Sequence, residues 1–220
     1  MGAPDRYVGH ILGERYRLNQ RVGAGGFGSV YLSEHVTLKR RFAIKVLSRQ
    51  LDMDPRFVKR FEREAQLTAS LEHPNIVQVT DFGQDDLMGS WFAMEYLQGE
   101  DLQQHIARVG RLNGAAAVRL MRQIVDAFVY AHRQGVIHRD VKSANVFLLS
   151  SDAVTDHAKV LDFGIARVLE AFEDEDGGEA KLTKTGTVMG SPAYMAPEQA
   201  LGLDVDHRTD IYSLGIVLYE

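Results

Sequence analysis

Hydrophobic and polar positions change their period partway along the chain. Residues 15–22 alternate, break at Gly23-Ala24-Gly25-Gly26-Phe27-Gly28, and resume a β-type pattern at 29–34. Residues 41–47, 76–82 and 90–94 are further short runs that read as strands. Between them Asp54-Pro55 starts a segment of helical period, with Phe57, Val58, Phe61, Ala65 and Leu71 on one face, and His73-Pro74-Asn75 ends it. From about residue 100 the period is mainly helical. A short helix is expected at 101–109. Asn113 caps a longer one to about Gln134, with Val118, Met121, Ile124, Val125, Phe128 and Val129 as its apolar stripe and Gly135 as its stop. A last apolar face, on Ile211, Leu214, Ile216, Val217 and Leu218, meets no stop signal. The pattern predicts an α+β protein: a strand-rich unit holding one substantial helix, then a mainly helical unit.

Composition alters this picture little. At 220 residues, 45% apolar and 25% charged, the chain can bury one or two ordinary cores. The formal charge of −5 is local, because residues 169–180 hold six acids and no base. The remaining 25 basic and 24 acidic residues nearly cancel, which gives no reason to expect nucleic-acid binding. Without cysteine there are no disulfides or thiolate metal sites, and a reducing, cytoplasmic setting is expected. No apolar run reaches the roughly 20 residues of a membrane span, and the N-terminus has no signal-peptide core.

The chemistry concentrates in residues 136–164, VIHRDVKSANVFLLSSDAVTDHAKVLDFG. Asp140 can accept a proton, Asn145 and Asp162 can hold a hard cation, and Lys142 can meet phosphate: together, a phosphoryl-transfer set. Upstream, the glycine cluster sits between two strands, so it reads as a hairpin that lets backbone amides approach phosphate, not as the opening of a dinucleotide-binding helix. Lys45 stands among apolar residues and needs anionic partners. Phosphate is one. A glutamate from the helix after Pro55 is the other, and both Glu62 and Glu64 are candidates.

His138-Arg139-Asp140, four residues, Asn145 and then Asp162-Phe163-Gly164 resemble the signature of the protein kinase family, and in particular of bacterial, eukaryotic-like serine/threonine kinases. The order Lys45, Glu64, Asp140, Asn145, Asp162 matches the family, as does Ala196-Pro197-Glu198. The resemblance runs from about Tyr16 to Glu220. It implies a two-lobed fold: an extension at 1–14, a small antiparallel β-sheet lobe with one helix at 15–94, a hinge at 95–99, and a mainly helical lobe at 100–220. It also implies ATP with Mg²⁺, or Mn²⁺, as cofactor. By resemblance, Glu64 and not Glu62 pairs with Lys45. Val22, Val30, Ala43 and Phe147 enclose the adenine ring, Met94 stands behind it, and the backbone of Glu95 and Leu97 meets its edge. Gly23, Gly25 and Gly28 cover the phosphates. Asp140 accepts the substrate proton, Lys142 steadies the γ-phosphate, and Asn145 and Asp162 hold the metal. His138 packs on Phe163, and Asp210 braces the catalytic loop. Residues 162–198 correspond to the activation segment, its acidic run having a disordered composition. Thr183 and Thr185 match phosphorylation sites that Arg139 can clamp. Ser143 replaces a common proline and Ser191 a common threonine, each with little expected effect.

The family continues for several helices beyond the one that begins near Asp210, so the expected fold is a kinase cut short, with Glu198 lacking its usual arginine. Three functions follow. The first is a kinase acting on serine and threonine in protein substrates, pairing as a homodimer in the way bacterial relatives do. The second is an impaired nucleotide-binding scaffold. The third is a phosphoacceptor module read by other kinases.

Overall fold

A computed structural model describes residues 5–150, 157–163 and 192–220. They divide into two compact units, one of residues up to 70 together with 78–97, the other of 71–77 together with 98–220.

The first unit is built on an antiparallel sheet of β1 (Ile11–Leu12), β2 (Tyr16–Gly25), β3 (Gly28–His35), β4 (Arg41–Leu47), β5 (Val79–Asp85) and β6 (Gly89–Glu95), in the order β1-β2-β3-β4-β6-β5. Two boundaries differ from the pattern-based expectation. β1 is too short to show alternation, yet its Leu12 is fully buried with Tyr16, Leu18, Ile44 and Trp91. Residues 11–12, expected to precede the lobe, therefore add a strand to its sheet. β5 starts at Val79 and not Ile76, because Ile76 bridges Val160 in the second unit. Two helices follow β4: the short α1 (Arg49–Asp52) and α2 (Pro55–Ala69). Asp54 caps α2 by accepting from the Arg56 amide at 2.9 Å, and Pro55 takes the first turn, where its missing N–H costs nothing. Phe61 and Ala65 of α2 pack with Leu47, Val79 and Phe92 in a second cluster.

Tyr16 gives this unit a pH dependence. Its hydroxyl donates to Asp81 Oδ2 at 3.0 Å, and burial, helped by that carboxylate, pushes the phenol up to about 12 from 10. The unfolded chain then loses this proton first, so the contribution is complete below pH 10 and is lost as pH rises through about 12. Urea denaturation between pH 9 and 12 is expected to show a shallower stability loss in Tyr16→Phe than in the parent. Parallel curves would exclude this phenol as a source.

The second unit holds a three-stranded antiparallel sheet, β7 (Gly99–Asp101), β8 (Val146–Leu149) and β9 (His157–Val160), with β8 central. Among the described residues its helices are α3 (Leu102–Val109), α4 (Gly114–Arg133), α5 (Pro197–Ala200) and α6 (Arg208–Tyr219), with 3₁₀ turns at Ser143–Asn145 and Pro192–Tyr194. Asp101 and Asn113 cap α3 and α4, accepting from the Gln104 and Ala116 amides at 2.8 and 2.9 Å. The buried face of α4 keeps Ile124 and Phe128 of the expected stripe but not its valines. Leu120, Ile124, Ala127, Phe128 and Ala131 are buried, whereas Val118, Val125 and Val129 are exposed. Both sets have helical spacing. The alanines let the helix approach its neighbours closely, and they carry no hydrophobic signal strong enough to mark that face in advance. Among the described residues no helix is long and apolar enough to cross a membrane. Thr183, Thr185, Gly164, Ser191 and the acidic run 169–180 lie outside the described residues.

Candidate active site

The first unit places several of the expected residues on one sheet face. Antiparallel register sets Val30 opposite Lys45, and Ala43 opposite Met94. Opposite residues share a face, as do positions two apart along a strand, so Val30, Ala43, Lys45 and Met94 lie together. Lys45 is 8% exposed, and its Nζ is 3.4 Å from Glu64 Oε1, on a glutamate only 4% exposed. Such burial is stable only for a paired charge. Glu62 instead accepts from Gln66 on the exposed side of α2. The choice between the two glutamates therefore rests on which of them the helix turns inward. Phe92 adds a ring face 5.6 Å from the Lys45 nitrogen.

Gly23, Gly25 and Gly28 lie at the β2–β3 turn, with Val22 exposed beside them. Only Gly28 is required by the fold. It has φ +156°, and a Cβ there would sit 1.9 Å from the Val46 carbonyl oxygen. A Cβ on Gly25 meets nothing within 4 Å, and one on Gly23 makes an ordinary 3.8 Å contact with Val30. Glu95 and Leu97 follow at the end of β6, both half-buried. The Glu95 N–H donates to the Gln78 carbonyl at 3.0 Å, and its carboxylate accepts from the Gln78 amide at 2.9 Å.

The second unit carries the remaining residues on one loop. Asp140 Oδ2 is 2.7 Å from Lys142 Nζ. Asn145 Nδ2 donates to the Asp140 carbonyl at 2.8 Å and to its carboxylate at 3.3 Å. The Asn145 amide thus uses its nitrogen on Asp140, and its oxygen is the atom suited to a cation. The Asn145 carbonyl accepts from the Leu161 amide at 2.9 Å, which fixes the approach to Asp162, a residue with φ +59°. An amide oxygen with a carboxylate is a hard-oxygen donor pair that fits Mg²⁺ or Mn²⁺. Among the described residues there is no group of three or more His, Cys, Asp or Glu that could hold a metal. Phe147 is on β8, opposite Asp101 and Lys159.

His138 is structural. Its Nδ1 accepts from the Asp140 amide at 3.2 Å, so Nε2 carries the proton and donates to the Leu161 carbonyl at 2.8 Å. Its ring is 4.7 Å from that of Phe163, and both are fully buried. Asp210, fully buried, accepts from the His138 amide (2.9 Å), the Arg139 amide (2.8 Å) and His132 Nε2 (2.7 Å). Glu198 accepts from the Thr209 hydroxyl at 2.8 Å. His132, Tyr194 and Gln199 also contact this network, and no local pattern in the chain marks them. Gln199 is visible beforehand only as the polar residue after Ala196-Pro197-Glu198.

These features are those of a small β-sheet unit and a mainly helical unit that carries a loop of paired charges. The chain belongs to the protein kinase family: its protein kinase domain spans residues 16–220. Similar relatives are the serine/threonine-protein kinase pkn3 of Myxococcus xanthus, 42% identical over 98% of this chain and 39% of pkn3, and PknA of Mycobacterium tuberculosis, 41% identical over 97% of this chain and 48% of PknA. PrkC of Bacillus subtilis is 39% identical over 97% of this chain and 31% of PrkC. The chain thus spans less than half the length of each. Among solved structures, a double mutant of the Mycobacterium tuberculosis PknI kinase domain superposes with a TM-score of 0.73 at 33% identity, covering 96% of this chain and 73% of that one.

Proposed function

We propose that the chain is the catalytic portion of a serine/threonine protein kinase that moves the γ-phosphate of ATP to hydroxyl groups of protein substrates. The observation that carries this is the Asp140 carboxylate, held on one short loop with Lys142 Nζ at 2.7 Å and the Asn145 amide within 3.3 Å. A carboxylate able to accept a proton, with an ammonium suited to phosphate and an amide suited to a cation each in contact with it, is the set this reading needs. Asp140 accepts the substrate hydroxyl proton, and Lys142 neutralises charge on the transferring group. Lys45, oriented by Glu64, meets the other phosphates. Asn145 and Asp162 would hold Mg²⁺, which when bound offsets the phosphate charge. Val22, Val30, Ala43, Met94 and Phe147 contact adenine, with the backbone of Glu95 and Leu97. Thr183 and Thr185 are the proposed autophosphorylation sites, and Arg139 their cationic partner. The cytoplasm, where ATP is supplied, is the compartment this reading requires.

The glycines support the reading. The fold needs Gly28 but not Gly25, so the requirement at Gly25 is assigned to close approach of phosphate to the backbone. Gly28→Ala is expected to lower the melting temperature. Gly25→Ala is expected to keep stability within about 0.5 kcal/mol of the parent while weakening ATP binding. Equal ATP affinity in parent and Gly25→Ala would remove this support.

The direct test is transfer of label from γ-labelled ATP to a generic acceptor protein. Label is expected to depend on added Mg²⁺ or Mn²⁺, to disappear with EDTA, and to fall to background in Lys45→Met. Mass spectrometry of parent and Lys45→Met then shows whether Thr183 and Thr185 are modified by the chain itself. Transfer that persists in Lys45→Met would refute the assignment.

A further inference from the structure

We propose that Gln199 and Tyr194 are positioning residues that grip the Asp140 loop on both sides; this rests on the kinase reading above. The first grip is on Arg139. That residue has φ +67°, a left-handed conformation unfavourable for a side chain of its size. Its N–H donates to Asp210 Oδ1 at 2.8 Å, and its carbonyl accepts from Gln199 Nε2 at 2.9 Å. The other end of the same Gln199 amide accepts from the Ala196 N–H at 3.2 Å. One side chain thus uses both its donor and its acceptor to hold the strained turn that comes immediately before Asp140.

The second grip is on Ser143. Its hydroxyl is buried and 2.9 Å from the Tyr194 hydroxyl, which in turn lies 2.5 Å from Glu220 Oε1. A carboxylate only accepts, so Tyr194 donates to Glu220 and Ser143 donates to Tyr194. Burial, followed by the bond to Glu220, raises the Tyr194 phenol above its ordinary value, which keeps the relay protonated. The Tyr194 carbonyl accepts from Ser213 Oγ at 2.7 Å, fixing the segment to α6. Arg139 and Ser143 flank Asp140, so the two grips set the direction of its carboxylate from both sides. A proline at 143 could not make the second grip. Serine there has a consequence that its place in the sequence did not suggest.

The test compares Gln199→Glu, Tyr194→Phe, Ser143→Ala and the Tyr194→Phe/Ser143→Ala pair in the full chain. Gln199→Glu keeps shape but removes the donor facing the Arg139 carbonyl. A fall in kcat of about tenfold is expected for it, and about threefold for Tyr194→Phe, with KM for ATP within about twofold of the parent. Ser143→Ala is expected to add nothing to Tyr194→Phe, because both remove the same bond. Amide hydrogen exchange at residues 138–142 is expected to quicken by about tenfold in Gln199→Glu. Unchanged exchange there overturns the clamp. Faster exchange with parental kcat overturns the positioning role. So does a kcat loss matched by weaker ATP binding and a lower melting temperature, since that marks general destabilisation. If the parent itself transfers no phosphate, the kinase reading fails instead, and the clamp is judged on exchange alone.

Discussion

Asp140→Asn is expected to slow phosphoryl transfer by about 10²–10⁴-fold, the range for loss of a positioned general base. The change is nearly isosteric, so the loop should keep its shape. The asparagine oxygen can still accept from Lys142 Nζ, which is 2.7 Å from Asp140 Oδ2. What disappears is the negative charge and the capacity to take up a proton. ATP affinity and melting temperature should therefore stay close to parental values while kcat collapses, and calorimetry beside steady-state kinetics checks this. A variant retaining more than a tenth of the parental kcat would mean that another group, or water alone, receives the hydroxyl proton. Should the rate and the melting temperature fall together, the carboxylate would be acting chiefly as a structural partner of Lys142 and Asn145.

Asp210→Ala is expected to cost the fold at least about 3 kcal/mol, since it leaves donors buried without an acceptor. Those donors are the His138 amide, the Arg139 amide and His132 Nε2, all within 2.9 Å of its carboxylate. Two are backbone groups in the turn that leads into Asp140, so activity should fall at temperatures where the variant is still folded. Urea unfolding gives the stability change. Exchange at the amides of His138 and Arg139 gives the local one. Asp210→Asn separates the contributions: it keeps one acceptor oxygen but turns an NH₂ toward part of the donor set, and should fall between parent and Asp210→Ala. A stability loss under about 1 kcal/mol would show that the three donors find other acceptors and that Asp210 is not the brace.

Much of the site could be read along the chain because its chemistry is local. Asp140, Lys142 and Asn145 fall within six residues, and in the structure their side chains do meet. The helix starts at Asp54 and Asn113 were equally legible, since a cap is satisfied by an amide only two or three residues on. The pairing of Lys45 with Glu64 needed the family resemblance as well. Periodicity allowed Glu62 and Glu64 alike, and the rotation of α2 decided between them. On α4 the same ambiguity placed Ile124 and Phe128 correctly but also drew in exposed valines, because small residues that allow close packing are silent in a hydrophobic pattern. β1 escaped notice for a related reason: two residues are too few to alternate, and Leu12 is recognisable as core only beside Trp91 and Ile44.

The amino-acid order by itself determined the residue types on the Asp140 loop, the glycine turn between β2 and β3, the strand-then-helix sequence and, by resemblance, the family. Each depends on sterics and hydrogen bonds that reach only a few positions. Tertiary structure alone decided what holds the loop in place: Asp210, 71 positions from Arg139, on its amide, and Gln199, 60 positions away, on its carbonyl. Such partners meet only when distant elements pack, and a polar residue on an unplaced helix gives no sign of which backbone group it will satisfy.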